Sequence, residues 1–248
     1  RAALTALPAG ILAGKPVILC AKGFEATTTL RQSEILAELA PGALPFVLSG
    51  PSFAHDVASG RPTAVTLAGP DIAAAEDVAL WLAGPALRPY SSGDVVGVEL
   101  AGGLKNVYAL GAGAIEGAGL GLSARSAYLA RAFAEMGRMI LAFGGDSATL
   151  GGLAGIGDLA LSCTSDASRN YRFGLELGQG RTVGAILDKG LGLAEGVATA
   201  PVARAMARAA GVDAPLVEAV NSILEGNVPL PDILAGLMAR PLKREGQD

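Results

Sequence analysis

The sequence is short of several kinds of residue, and each shortage closes off a class of function. Among 248 residues there is one histidine, His55, which leaves no room for a His-rich metal site or a chain of imidazole proton carriers. The two cysteines, Cys20 and Cys163, lie far apart and form no CxxC pair, so neither a zinc ribbon nor a disulfide scaffold is supported, and reduced thiols fit a cytosolic chain. Aromatic residues make up 4% and charged residues 17%. A net charge of −4 argues against a generally basic nucleic-acid binder, while leaving room for local basic sites. No run of 18 or more residues is both apolar and free of charge, and the first residues lack a signal-peptide pattern. The expectation is a soluble cytoplasmic protein without a membrane span.

What is abundant is small and apolar. Glycine occurs 35 times and 51% of residues are hydrophobic, enough for a substantial core and against disorder. Strand and helix signals alternate over the first ninety residues: apolar runs at 17–20, 46–48 and 63–67, and the edge-like Arg88-Pro89-Tyr90, separated by helical patterns, one of them capped by Asp71. Such alternation predicts an α/β layer with parallel strands. From Gly93 onward only helical periodicity remains, at 94–116, 123–143 (capped by Ser123), 156–163, 169–178, 182–189, 196–210, 215–224 and 230–239, with Gly180, Gly190, Gly211 and Gly226 as stops and a charged end over 243–248. The fold expected is α/β: a partial Rossmann-type parallel-sheet domain over 1–92, followed by an all-helical substrate domain over 93–248. The chain opens on Arg1 inside helical sequence, as though partway through a domain.

Lysine is scarce, five against fourteen arginines, so its placement carries information. Lys105 lies in a helical segment whose neighbours one turn away are Ala101, Gly102, Tyr108 and Ala109, none acidic. An apolar, small-residue face lowers a lysine pKa and suits acid/base work near neutrality; a lysine snorkelling from the helix rim is the bland alternative. Two loops follow strand ends, where open sheets bind ligands: Ala21-Lys22-Gly23 and Ser49-Gly50-Pro51-Ser52. The second can present free N–H groups to an anion, or can be a plain turn with Ser52 as N-cap. Ser168-Arg169-Asn170 opens a helix with an arginine set against the helix dipole, which fits recognition of a phosphate or carboxylate. Asp158, after Gly155-Ile156-Gly157, is either an N-cap or a carboxylate that orients Lys105 or accepts from a substrate hydroxyl. His55 and Cys163 read as structural. Gly190-Leu191-Gly192 follows no strand and fails the test for a dinucleotide fingerprint.

Taken together, Cys20-Ala21-Lys22-Gly23-Phe24-Glu25, Ser49-Gly50-Pro51-Ser52-Phe53-Ala54, Gly103-Leu104-Lys105-Asn106-Val107, Gly155-Ile156-Gly157-Asp158-Leu159, Ser168-Arg169-Asn170 and Glu195-Gly196 resemble, in order and spacing, the bacterial-type NAD(P)-dependent sn-glycerol-3-phosphate dehydrogenases. Gly121 to Arg125 and Glu135-Met136 fit the same pattern, while Leu104 and Ala194 stand where valine is usual. The resemblance implies reversible hydride transfer between sn-glycerol 3-phosphate and NAD or NADP, giving dihydroxyacetone phosphate, a reaction that feeds glycerophospholipid synthesis. It implies that Lys105 is the proton acceptor and binds substrate together with Lys22, Gly50, Ser52, Asp158, Ser168, Arg169 and Asn170. Lys22, Ala54, Arg169, Leu193 and Glu195 match positions at the dinucleotide, and no metal is implied. The family's glycine-rich fingerprint lies in an N-terminal βαβ region of roughly 30 or more residues that is not found in this sequence. A β-hydroxyacid dehydrogenase and a non-catalytic phosphometabolite-binding fragment are the alternatives. The phosphorylated small molecule is the expected partner, and Ala/Gly-rich helices would permit a homodimer.

Overall fold

A computed structural model describes residues 1–190, 192, 194–242 and 244. Leu193, and most of the charged end expected over 243–248, lie outside the described residues. Four strands form one sheet in the order β1 (Pro16–Leu19), β2 (Leu44–Ser49), β3 (Thr63–Ala68), β4 (Leu87–Ser92). The pairs β1–β2 and β3–β4 are parallel, but β2 and β3 run antiparallel, with Leu48 opposite Leu67. This corrects the expectation of a wholly parallel sheet. The β2–β3 link carries only the five-residue helix α3 (Ala54–Ala58), which buries no residue. A parallel return needs a longer crossover packed over the sheet face. β1–β2 and β3–β4 have such crossovers in α2 (Gln32–Leu39) and α4 (Ile72–Leu82), the latter capped by Asp71, which accepts from the Ala74 N–H.

Two other local expectations are corrected. The opening helical pattern yields only α1 (Ala2–Thr5), because Pro8 cannot continue a helix and Gly10 and Gly14 adopt positive φ. Ser123 caps nothing: it lies inside α6 (Gly121–Ala142), whose N-cap is Leu120.

β2 alternates its side chains across the sheet. Phe46 joins Leu67, Val78 and Ala79 beneath α4, while Val47 joins Ala68, Val98 and Ala154 on the opposite face. Val98 belongs to α5 (Val95–Gly117), which starts three residues after β4, capped by Asp94. α5 is buried without interruption from Gly97 to Ile115. A helix buried on every side is the centre of a bundle, and α6, α7 (Asp158–Thr164), α8 (Arg169–Gly178), α10 (Glu195–Ala209) and α11 (Pro215–Glu225) surround it. The helices α9 (Val183–Asp188) and α12 (Leu230–Met238) are peripheral. Gly180, Gly190, Gly211 and Gly226 follow α8 to α11 with positive φ, as the glycine stops predict.

The closest crossing in the bundle is α5 on α8, where glycines permit backbone to meet backbone. A Cβ at Gly113 would overlap the Tyr171 carbonyl, and one at Gly174 would overlap the Leu110 carbonyl. This crossing presses the first turn of α8 against the middle of α5. Among the described residues, no helix is long and apolar enough to cross a membrane.

Candidate active site

The loops after β1 and β2 meet α5 and α7 at the carboxyl ends of those two strands. Lys105 Nζ donates to Asp158 Oδ1 at 2.6 Å and to Ser162 Oγ at 2.8 Å, while Lys22 Nζ donates to Asp158 Oδ2 at 2.6 Å. One carboxylate, 1% exposed, therefore bridges two ammonium groups. Asp158 is not an N-cap, since Gly157 occupies that position. It sits in the first turn of α7, where the helix dipole favours a negative charge. Ser162 follows on the same helix face.

Lys105 is 7% exposed, so it does not snorkel. Burial is the main influence on its amine and pulls the pKa from 10.5 down to about 8; Asp158 opposes this and neighbouring Lys22 adds to it. An amine so placed changes protonation state near neutral pH, as an acid/base group must. Cys163, next to Ser162 on α7, is wholly buried, its thiol pushed up to about 12 by desolvation, and stays an inert core residue.

A second cluster adjoins through Asn106. Its Nδ2 donates to Glu195 Oε2 at 3.2 Å, and its Oδ1 accepts from Asn170 Nδ2 at 2.9 Å. Asn170 Oδ1 in turn accepts from the Gly196 N–H at 2.8 Å. The first turns of α8 and α10 are thus tied to the residue after Lys105, and a Cβ at Gly196 would overlap the Asn106 carbonyl. Ser168 caps α8 by accepting from the Tyr171 N–H. Arg169 is exposed and makes no hydrogen bond or ion pair among the described residues, which leaves a guanidinium open to an anion.

The β2 loop turns at Gly50, whose φ is 150° and whose Cβ would come within 2.9 Å of the Val65 Cα. Only glycine fits there. The Ser52 hydroxyl donates to the Gly50 carbonyl at 3.1 Å and does not cap α3, which begins two residues later behind Phe53. Ala54 is the exposed first residue of α3, and His55, read from sequence as structural, is also exposed on this short helix. The hydroxyl of Ser49, the last residue of β2, is buried with no hydrogen-bond partner, a state that costs about 1–3 kcal/mol.

Of the residues singled out from sequence, Lys22, Lys105 and Asp158 are brought into direct contact, and Asn170 and Glu195 are joined through Asn106. Gly50, Ser52 and Ala54 line the adjoining loop, and Leu193 lies outside the described residues. Three contributors were not assigned roles by sequence reasoning: Ser162, Asn106 and Ser49. Ser162 was findable, standing four residues after Asp158 on a helix. Asn106 and Ser49 stand inside two of the motifs but carried no role of their own, because their significance depends on partners far along the chain.

A Rossmann-like sheet joined to a helical bundle, with a buried lysine–carboxylate pair at the strand ends, defines a dehydrogenase-type site. The comparisons narrow this. The family model for the NAD-dependent glycerol-3-phosphate dehydrogenase C-terminus matches residues 94–235, and the N-terminus model matches 1–75. The chain is 47% identical over 247 residues to glycerol-3-phosphate dehydrogenase [NAD(P)+] 1 of Sphingopyxis alaskensis, covering 100% of this chain and 74% of the relative. It is 48% identical over 245 residues to the enzyme of Caulobacter vibrioides, covering 99% and 74%. The crystal structure of glycerol-3-phosphate dehydrogenase from Coxiella burnetii superposes with a TM-score of 0.86 at 36% identity, covering 91% of this chain and 69% of that one. The chain belongs to the NAD-dependent glycerol-3-phosphate dehydrogenase family.

The family implies a nicotinamide dinucleotide. The donor set present fits the end of that group nearest the substrate: the guanidinium of Arg169, without an ion pair among the described residues, and the exposed Glu195 at the start of α10, paired with the buried Asn106 of α5. A glycine-rich strand-to-helix turn for the pyrophosphate is not found among the described residues.

Proposed function

We propose that this chain carries out the reversible oxidation of sn-glycerol 3-phosphate to dihydroxyacetone phosphate, with Lys105 as the proton acceptor. The observation that carries the reading is the Lys22–Asp158–Lys105 bridge: a buried amine whose pKa is drawn to about 8, held by a carboxylate at 2.6 Å. NAD or NADP, when bound, supplies the hydride acceptor. As C2 becomes a carbonyl carbon, the neutral Lys105 amine takes the proton of the C2 hydroxyl; in the reverse direction the ammonium returns it. The Lys22 charge disfavours a second ammonium nearby and so keeps Lys105 available as a base. Asp158 fixes the position of both amines and can accept from a substrate hydroxyl.

Arg169 and Asn170, with Ser168 holding the helix start, take the phosphate, and Gly50 and Ser52 on the β2 loop are assigned further substrate contacts. An open guanidinium suits the phosphate of this substrate. Lys22, Ala54, Arg169, Leu193 and Glu195 form the dinucleotide side. We further assign residues 1–92 to the cofactor domain and 93–248 to the substrate domain, consistent with β4 ending at Ser92 and α5 beginning at Val95. A cytoplasmic homodimer supplying glycerol 3-phosphate for glycerophospholipids fits two unpaired cysteines and small-residue helices.

The test is Lys105→Ala. Loss of a general base costs on the order of 10²–10⁴ in kcat, with folding kept because Asp158 retains Lys22. Near-normal turnover would refute the role.

A further inference from the structure

On β2, the side chains that alternate onto the α5 face are Val47 and Ser49. Val47 packs on Val98 and Ala154, as a buried strand position should. Ser49 comes next on that face, at the strand end where the site opens, and it is 3% exposed. Its hydroxyl has no partner. Across from it is Gly102, one turn before Lys105: a Cβ there would stand 2.9 Å from Ser49 Oγ and 3.7 Å from Lys22 Cγ. The hydroxyl therefore lies against the turn of α5 that carries Lys105, and the stem of Lys22 borders the same glycine. Gly102, lacking a side chain, leaves room for close approach, and the group that approaches is this serine. Packing alone would be served by alanine or valine. A buried hydroxyl without a partner is retained where a ligand completes it, because a site built to hydrogen-bond a hydroxyl rejects molecules that lack one.

We propose that Ser49 is a further substrate-positioning residue, whose hydroxyl pairs with a hydroxyl at the unphosphorylated end of the substrate. It complements Arg169 at the phosphate end and makes the pocket select a phosphorylated polyol over phosphate alone. The inference rests on the function proposed above.

The experiment is calorimetric titration of the wild-type protein and of Ser49→Ala with sn-glycerol 3-phosphate and, separately, with inorganic phosphate, together with thermal melts of the free proteins. Ser49→Ala should weaken glycerol 3-phosphate about tenfold, the value of one hydrogen bond to a buried group, and leave inorganic phosphate within about twofold. The melting temperature of the free variant should stay level or rise, since an unpaired buried hydroxyl is removed. Equal losses for both ligands, no loss for either, or a lowered melting temperature with an unchanged affinity ratio would overturn the assignment. If the wild type binds neither ligand, the functional reading falls and the role of Ser49 with it; if the wild type binds glycerol 3-phosphate and the variant binds it equally well, only the role of Ser49 falls.

Discussion

Replacing Asp158 by asparagine isolates the electrostatics of the site. The carboxylate opposes the desolvation of Lys105, and it is what allows Lys22 to sit so close. Without it, Lys105 keeps its burial and its neighbouring cation but loses its counter-charge. An opposite charge at this range moves a pKa by about 1–3, so the Lys105 amine should fall from about 8 into the range of about 5–7. In the oxidation direction the neutral amine is the active form, and wild-type kcat/KM should rise with pH through about 8. In Asp158→Asn that limb should appear at lower pH, while the absolute rate falls because Lys105 is no longer held in place. Removing one member of a buried ion pair costs about 3–5 kcal/mol. The low end applies here, since Lys105 can release its proton rather than remain an unpaired buried cation. Lys22→Met should act in the opposite sense: it removes the repelling charge and moves the limb above 8. The assay is kcat/KM for glycerol 3-phosphate from pH 5 to 10 in all three proteins. A limb that stays put, or that moves upward in Asp158→Asn, would show that Asp158 does not govern the amine.

The remaining predictions concern the phosphate end, the bundle and a second buried acid. Arg169→Ala should raise KM for glycerol 3-phosphate by about 10²-fold, as loss of a charge-assisted pair requires, with the melting temperature unchanged because the exposed guanidinium makes no hydrogen bond or ion pair among the described residues; a large loss of stability with normal KM would contradict this. Gly174→Ala should destabilise by about 1–3 kcal/mol in urea unfolding, since the new methyl would overlap the Leu110 carbonyl, and an unchanged midpoint would show that the α5–α8 crossing can spread at no cost. Glu135 accepts from the N–H groups of Leu216 and Val217 and from Tyr108, yet burial pushes its carboxyl from 4.5 up to about 7. The folded state therefore binds this proton more tightly than the unfolded chain, so the stability it contributes is complete below about pH 4.5 and is lost as pH rises through about 7. That loss, about 3 kcal/mol, should be missing from the melting curves of Glu135→Gln over the same pH window, and identical pH profiles in the two proteins would refute it.

Much of this protein can be read from its sequence because the information is local. The boundaries of α8, 169–178, follow from Ser168 as a cap and Gly180 as a stop, and both act within one turn. The small and apolar neighbours of Lys105 within one helical turn made a lowered pKa one of two readings, and its burial in the centre of the bundle decided against the snorkelling alternative. The order of six short motifs was enough to point to the family. What was not legible depends on contacts between distant positions. The β2–β3 pairing became antiparallel because α3 is too short to cross the sheet, and strand direction is set by that connection rather than by any strand residue. Asp158 looked like a helix cap from its neighbours alone; only tertiary structure placed Lys22, 136 residues away in the chain, on its second oxygen. Asn106 and Asn170 are 64 residues apart. They meet because glycines let α5 and α8 touch along their backbones, and amide pairing is decided by that contact. The sequence by itself determined which residues have the chemistry of a proton-transfer site and where helices begin and end, since propensity and capping act within a few residues. The folded chain decided which oxygen each amine shares and which hydroxyl is left without a partner, because charge and hydrogen bonding act through space.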